Sequence, residues 1–343
     1  MECDKVLGIF DSLITPIATY ACAFWLPYII SKAGFLSLEK LMESWGNLKA
    51  ETLNQRCCRM FLSVHSKASR LAVLGELGRY PLFINALSQC LNYKLSLLKR
   101  RTQTNLIGNV LTEMENMVEN GQDCWLTRIS QIEKLLKTPK NMQFSKLSGK
   151  KILSLLKSKF DGFWLNKINE FKASDADNLD HNKLRVYRQF KASFTAEPYI
   201  NLVRNRNQRS SLTRIRISAH NLATELLRRT RPVTPLCRRQ TKPSDPEAAT
   251  SQGAENSNLS GKSFVDSEQH FMLHCDVFKN TRSCLFEKLS ALMPGFKQLS
   301  NQNKLSTLLC PTTPRVAKLV NRFIKFMFQK RESISSGVTN DDL

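Results

Sequence analysis

The residues in this sequence best suited to chemistry are arginines. Arg204, Arg206, Arg209, Arg214 and Arg216 fall within thirteen positions, and Arg228, Arg229, Arg231, Arg238 and Arg239 follow closely. His220 is interleaved with them, and Tyr187, Phe190 and Tyr199 precede them. A guanidinium group presents a planar fork that matches phosphate oxygens and can stack on a base, which an ammonium does less well. Residues 181–240 carry 14 Lys and Arg against 2 carboxylates, Glu197 and Glu225, and so hold more than half of the chain's net charge of +22. A concentrated excess can neutralise several neighbouring phosphates at once, whereas a diffuse one mainly aids solubility. Arg204, Arg206, Arg209, Arg214, Arg216, Arg228 and Arg229 are therefore the candidate contacts to RNA or DNA, with His220 placed to stack or hydrogen-bond. The competing expectation is a solvated basic face crossed by scattered ion pairs.

A second constellation has the residue types of a metal site. Cys237, His270, His274 and Cys275 are all zinc ligand types, the last three within the run Glu-Gln-His-Phe-Met-Leu-His-Cys at 268–275. A knuckle-like site would place a second cysteine three residues after the first, and Gln240 stands there. An amide oxygen is a poor substitute for thiolate on zinc. The competing reading is a helix with packed histidines.

Other chemistry has no residues to carry it. There is no Gly-rich phosphate loop, Gly-x-Ser-x-Gly elbow or Cys-x-x-Cys pair. Asp341 and Asp342 adjoin at the C-terminal end without a strand or turn to aim them, and His65 and His181 have no neighbouring constellation. The chain reads as a non-enzyme. Ten cysteines in 343 residues are too dilute for a disulfide-stapled small fold, and the opening Met-Glu-Cys-Asp-Lys lacks the basic start of a secretory signal. Reduced thiols and an intracellular setting, nuclear or cytoplasmic, are expected.

The elements that must position these residues read as helices. Leu48, Leu53, Cys57, Met60, Phe61 and Val64 recur near the 3.6-residue period, as do Leu87, Leu91, Leu95 and Leu98, and Ile152, Leu155, Leu156 and Phe160. Strand-like alternation occurs only at Thr213–Ile217, so a mainly α architecture is expected. Residues 12–31 carry no charge, but Pro16 and Pro27 leave room for only about ten helical residues between them, which favours a kinked buried helix over a membrane span. Phe24, Trp25 and Tyr28 would then be packed. Residues 241–263 lack aromatics and have one large aliphatic, Leu259, and read as a flexible insertion. Val316, Leu319, Val320, Phe323, Ile324 and Met327 form an apolar stripe with Arg315, Lys318, Arg322 and Lys325 outside it, which predicts a basic amphipathic helix over 315–331. Residues 12–31 and 315–331 together support the alternative of an interaction or scaffold protein at a membrane.

Four segments, in order and at similar spacing, resemble one family. They are Ile9–Trp25, the stretch Gly-Glu-Leu-Gly-Arg-Tyr-Pro-Leu at 75–82, Ser211–Glu225, and residues 268–275. Together they resemble the region that follows the reverse transcriptase domain in LINE-like, non-LTR retrotransposon polyproteins. The resemblance implies a thumb-like helical segment over 1–75, a basic helical linker over 76–240, the insertion at 241–263, a small Cys/His helical module over 264–331 and a disordered tail from 332. It implies a role in holding RNA or target DNA, with polymerisation assigned to an upstream Tyr-x-Asp-Asp hairpin that is not among these residues. Two departures, Leu227-Arg228-Arg229 where relatives tend to show Gly-Arg-Tyr and Gln240 for a second cysteine, imply a degenerate or truncated copy that has lost part of its metal site.

Overall fold

A computed structural model describes residues 3–35, 37–101, 105–136, 147–170, 184, 186–203, 205–222, 225 and 266–335. The fold is mainly α, with no named strand among the described residues and one antiparallel bridge, Leu77 to Ala196. The N-terminal part comprises α1 (Cys3–Ile9), α2 (Thr15–Ala18), α3 (Cys22–Ala33), α4 (Leu38–Ser44), α5 (Lys49–Leu62) and α6 (Arg70–Leu77). The long helices α7 (Leu82–Arg100), α8 (Asn105–Glu119), α9 (Trp125–Leu135) and α10 (Gly149–Asn169) follow. Two short helices, α11 (Tyr187–Phe190) and α12 (Pro198–Leu202), lead into α13 (Arg206–Arg216). The last part holds α14 (Lys279–Leu292), α15 (Asn301–Leu309) and α16 (Pro314–Ser335).

Local chemistry sets many of these boundaries. Ser37, Ser148 and Ser300 each accept a backbone N–H at the start of α4, α10 and α15, and the Asn205 side chain accepts two at the start of α13. Gly34 and Gly78 close α3 and α6 in the left-handed conformation. Apolar stripes then pack α3 on α7 and α9, α7 on α10, and α13 on α16. One continuous core results, running from Leu7 through Trp164 and Ile215 to Met327, so residues on both sides of the expected insertion share a single interior. Residues 241–263 themselves lie outside the described residues.

Three expectations are corrected. The alternating run Thr213–Ile217 is not extended: Thr213 to Arg216 complete α13, whose buried positions are themselves largely polar, which masks the helical period. The apolar N-terminal stretch is kinked but not buried throughout. Its helical segments Leu7–Ala18 and Cys22–Ala33 meet at 70°, and Ile17, Tyr20, Phe24 and Tyr28 on the outer side are 76%, 81%, 56% and 47% exposed. Residues 332–335, expected in a tail, continue α16, while 336–343 lie outside the described residues.

The Gly75–Leu82 segment is a close-packed joint in the fold. A Cβ on Gly75 would sit 2.6 Å from the Trp164 ring and 2.7 Å from the Tyr187 hydroxyl, side chains whose Nε1–H and O–H donate to the Leu71 and Ala72 carbonyls. Gly78, at φ +56°, lets the backbone of Ala196 approach so closely that a Cβ would lie 2.4 Å from its nitrogen. The Glu197 N–H donates to the Glu76 carbonyl at 2.9 Å alongside that bridge. Left-handed strain and the backbone clash together set the expected cost of Gly78→Ala at roughly 2–4 kcal/mol in urea unfolding. Gly162→Ala, in α10 with open space at its Cβ, should be neutral or stabilising by up to about 1 kcal/mol. Equal effects for the two would contradict this packing.

Candidate nucleic-acid interface

The arginine-rich segment folds inward at two of its expected contacts. Arg216, at the end of α13, is fully buried. Its Nε and Nη2 donate to the two oxygens of buried Glu76 at 3.0 and 2.9 Å, and Nη2 also meets Glu197 at 2.6 Å. Nη1 donates to the Leu309 carbonyl at the end of α15, and the guanidinium lies 4.3 Å from the Phe190 ring centre. The Tyr199 hydroxyl donates to Glu76, and Lys191 pairs with the second oxygen of Glu197. Two cations therefore face two carboxylates. Burial opposes the Arg216 cation, yet Glu76, Tyr199 and Glu197 outweigh it and hold its pKa well above the ordinary arginine value. Burial, and then Glu76, push the Tyr199 hydroxyl up.

Arg209 is also buried, stacked 4.3 Å from the Phe61 ring centre and donating to the carbonyls of Ile200, Val203 and Phe61. Arg206 donates to the Met60 carbonyl at 2.7 Å and to the Ser63 hydroxyl, and Arg214 donates to the Ser63 carbonyl at 3.1 Å. Met60, Phe61 and Ser63 form the C-terminal end of α5, where the outward-facing carbonyls and the helix dipole favour positive charge. Three arginines of α13 thus cap one helix end. Arg206 and Arg214 remain exposed, whereas Arg209 and Arg216 are removed from any external phosphate. That corrects the expectation of a single arginine surface. Arg204, Arg228 and Arg229 lie outside the described residues.

His220 is corrected in the same way. Its Nδ1 accepts the Leu222 N–H, which leaves Nε2 as the site of a proton on the neutral ring, 3.0 Å from Glu268. The Ser218 hydroxyl donates to the same Glu268 oxygen, and both His220 and Glu268 are buried, so no base can stack there. His270 and Cys275 are buried and His274 is half-buried on the turn that follows Glu268. Burial and then the Arg282 charge lower the His274 pKa. Among the described residues no three His, Cys, Asp or Glu side chains gather with metal-binding geometry, and Cys237 lies outside those residues.

An open basic groove lies elsewhere, between α14 and α16. Lys288 faces Arg315, Lys318 and Arg322 across a floor of Ala291, Leu292 and Leu319. No carboxylate lines it, and none of the four cations takes an ion pair or side-chain hydrogen bond among the described residues. The spacing of Arg315, Lys318 and Arg322 was readable in the sequence, but Lys288 and exposed Phe326 were not, because their relation to that row depends on the α14–α16 contact.

Comparison with protein-family models, curated proteins and solved structures gives no match. The chemistry of the chain therefore rests on its own geometry. In that geometry Arg216→Met strands the buried Glu76 carboxylate and should cost about 3–5 kcal/mol in urea unfolding. Glu76→Leu combined with Arg216→Met should cost clearly less than the sum of the two single changes. Simple additivity would contradict the buried pair.

Proposed function

We propose that this chain holds RNA or DNA without catalysing a reaction, as the post-polymerase region of a LINE-like, non-LTR retrotransposon polyprotein. The observation that carries the reading is the sidedness of the charge. Among the described residues burial takes in four cations, Lys191, Arg209, Arg216 and Arg282, and five carboxylates, Glu51, Glu76, Glu225, Asp266 and Glu268. Among the described residues burial therefore takes no net positive charge inward, and their cationic excess is left at the surface, where it can release counterions from a polyanion.

The four segments that carry the resemblance also support it, since they close on one another. Arg79 grips Asp11 with two hydrogen bonds, Glu76 holds Arg216, and His220 meets Glu268. These residues have an architectural role in this chain. No metal enters this reading.

A second reading, an interaction or scaffold role at a membrane, is favoured by one observation. Ile9, Leu13, Ile17, Tyr20, Phe24 and Tyr28 expose a continuous run of apolar side chains on the N-terminal helices. Among the described residues no single helix is long and apolar enough to cross a membrane.

Filter binding of the whole chain to RNA and to single-stranded DNA tests the first reading. Between 50 and 200 mM salt, six phosphate contacts should cost about a thousandfold in affinity. A flat response would reject it, and flotation with anionic liposomes in the absence of nucleic-acid binding would favour the second.

A further inference from the structure

We infer that the groove between α14 and α16 is the seat of a single nucleic-acid strand, its phosphates on Lys288, Arg315, Lys318 and Arg322 and a base on Phe326. This rests on the nucleic-acid reading above and gives it a place. Arg315, Lys318, Arg322 and Phe326 recur at i, i+3, i+7 and i+11, which keeps them within about 80° of arc and spreads them over about 16 Å of helix. The opposite stripe of α16, Val316, Val320, Phe323, Ile324 and Met327, is buried in the core, so this outer row is fixed in direction.

The shape and lining select the occupant. The groove is broad and open, about 430 Å³, so an extended chain can lie across its four cations, and its exposed apolar residues are few. A membrane-surface helix would instead turn a broad apolar face outward. Within nucleic acids, a duplex would set its hydrated backbone against Ala291, Leu292 and Leu319 and leave that floor unused. A single strand has free base faces for such a floor and for Phe326, which is 45% exposed one turn beyond Arg322. The four cations have no carboxylate to displace before they meet phosphate.

The test is fluorescence anisotropy of the full chain with labelled oligo(dT), the matching duplex, and phosphatidylserine-containing vesicles as competitor. The combined variant Lys288→Ala, Arg315→Ala, Lys318→Ala, Arg322→Ala changes only exposed side chains and should keep its unfolding midpoint. It should lose at least tenfold in affinity at about 50 mM salt, and its log–log salt slope should become shallower by about 3, from four contacts at about 0.7 each. Phe326→Ala should weaken oligo(dT) binding about tenfold and leave the slope unchanged. If the wild type binds but the combined variant keeps its affinity and slope, the groove is wrong while the nucleic-acid reading survives. If the wild type prefers duplex and Phe326→Ala is silent, the single-strand assignment is overturned. If the wild type binds vesicles and no oligonucleotide, both the groove assignment and the reading beneath it fail.

Discussion

A buried carboxylate and a buried guanidinium, Glu76 and Arg216, hold this fold to one arrangement. Taking two charges out of water costs several kcal/mol each, and their attraction returns that only when the geometry is good and the remaining hydrogen-bonding positions are filled. Here they are filled. Arg216 reaches Glu76, Glu197 and the Leu309 carbonyl, and Glu76 also accepts from Tyr199. The pair therefore specifies position more than it adds stability: α6, the segment before α12, α13 and the end of α15 can meet in one register only. Gly75 and Gly78 are part of the same constraint, because they allow the aromatic rings and the Ala196 backbone close enough to shut water out.

The four described arginines of the arginine-rich stretch serve such internal demands. One of its arginines neutralises a buried acid, three cap the end of α5, and the neighbouring histidine serves a buried glutamate. A density of cations in the sequence is thus not the same as a density of cations at the surface. Among the described residues burial removes carboxylates as fully as cations, and Lys288, Arg315, Lys318 and Arg322 share one groove that no carboxylate lines.

What the sequence made legible follows the range of the interactions concerned. Helical periodicity placed Leu87 to Leu98 in α7 and the stripe from Val316 to Met327 in α16, because those patterns are set by neighbours three and four positions away. The fate of Arg216 was hidden because its main partner, Glu76, is 140 positions distant, and a count of nearby acids found only Glu197 and Glu225. Arg79 and Asp11, 68 positions apart, were hidden for the same reason. At α13 the alternation that suggested a strand arose because the buried positions are themselves largely polar, Arg209, Ser210, Ser211, Thr213 and Arg216 among them, which erases the polar–apolar contrast that normally reveals a helix.

Arginine-specific modification of the folded chain with phenylglyoxal, read by mass spectrometry, separates inward from outward guanidinium groups. Arg209 and Arg216 should stay unmodified until the protein unfolds, while Arg315 and Arg322 react at once. Reaction of Arg216 at the rate of Arg315 would contradict the account at its centre.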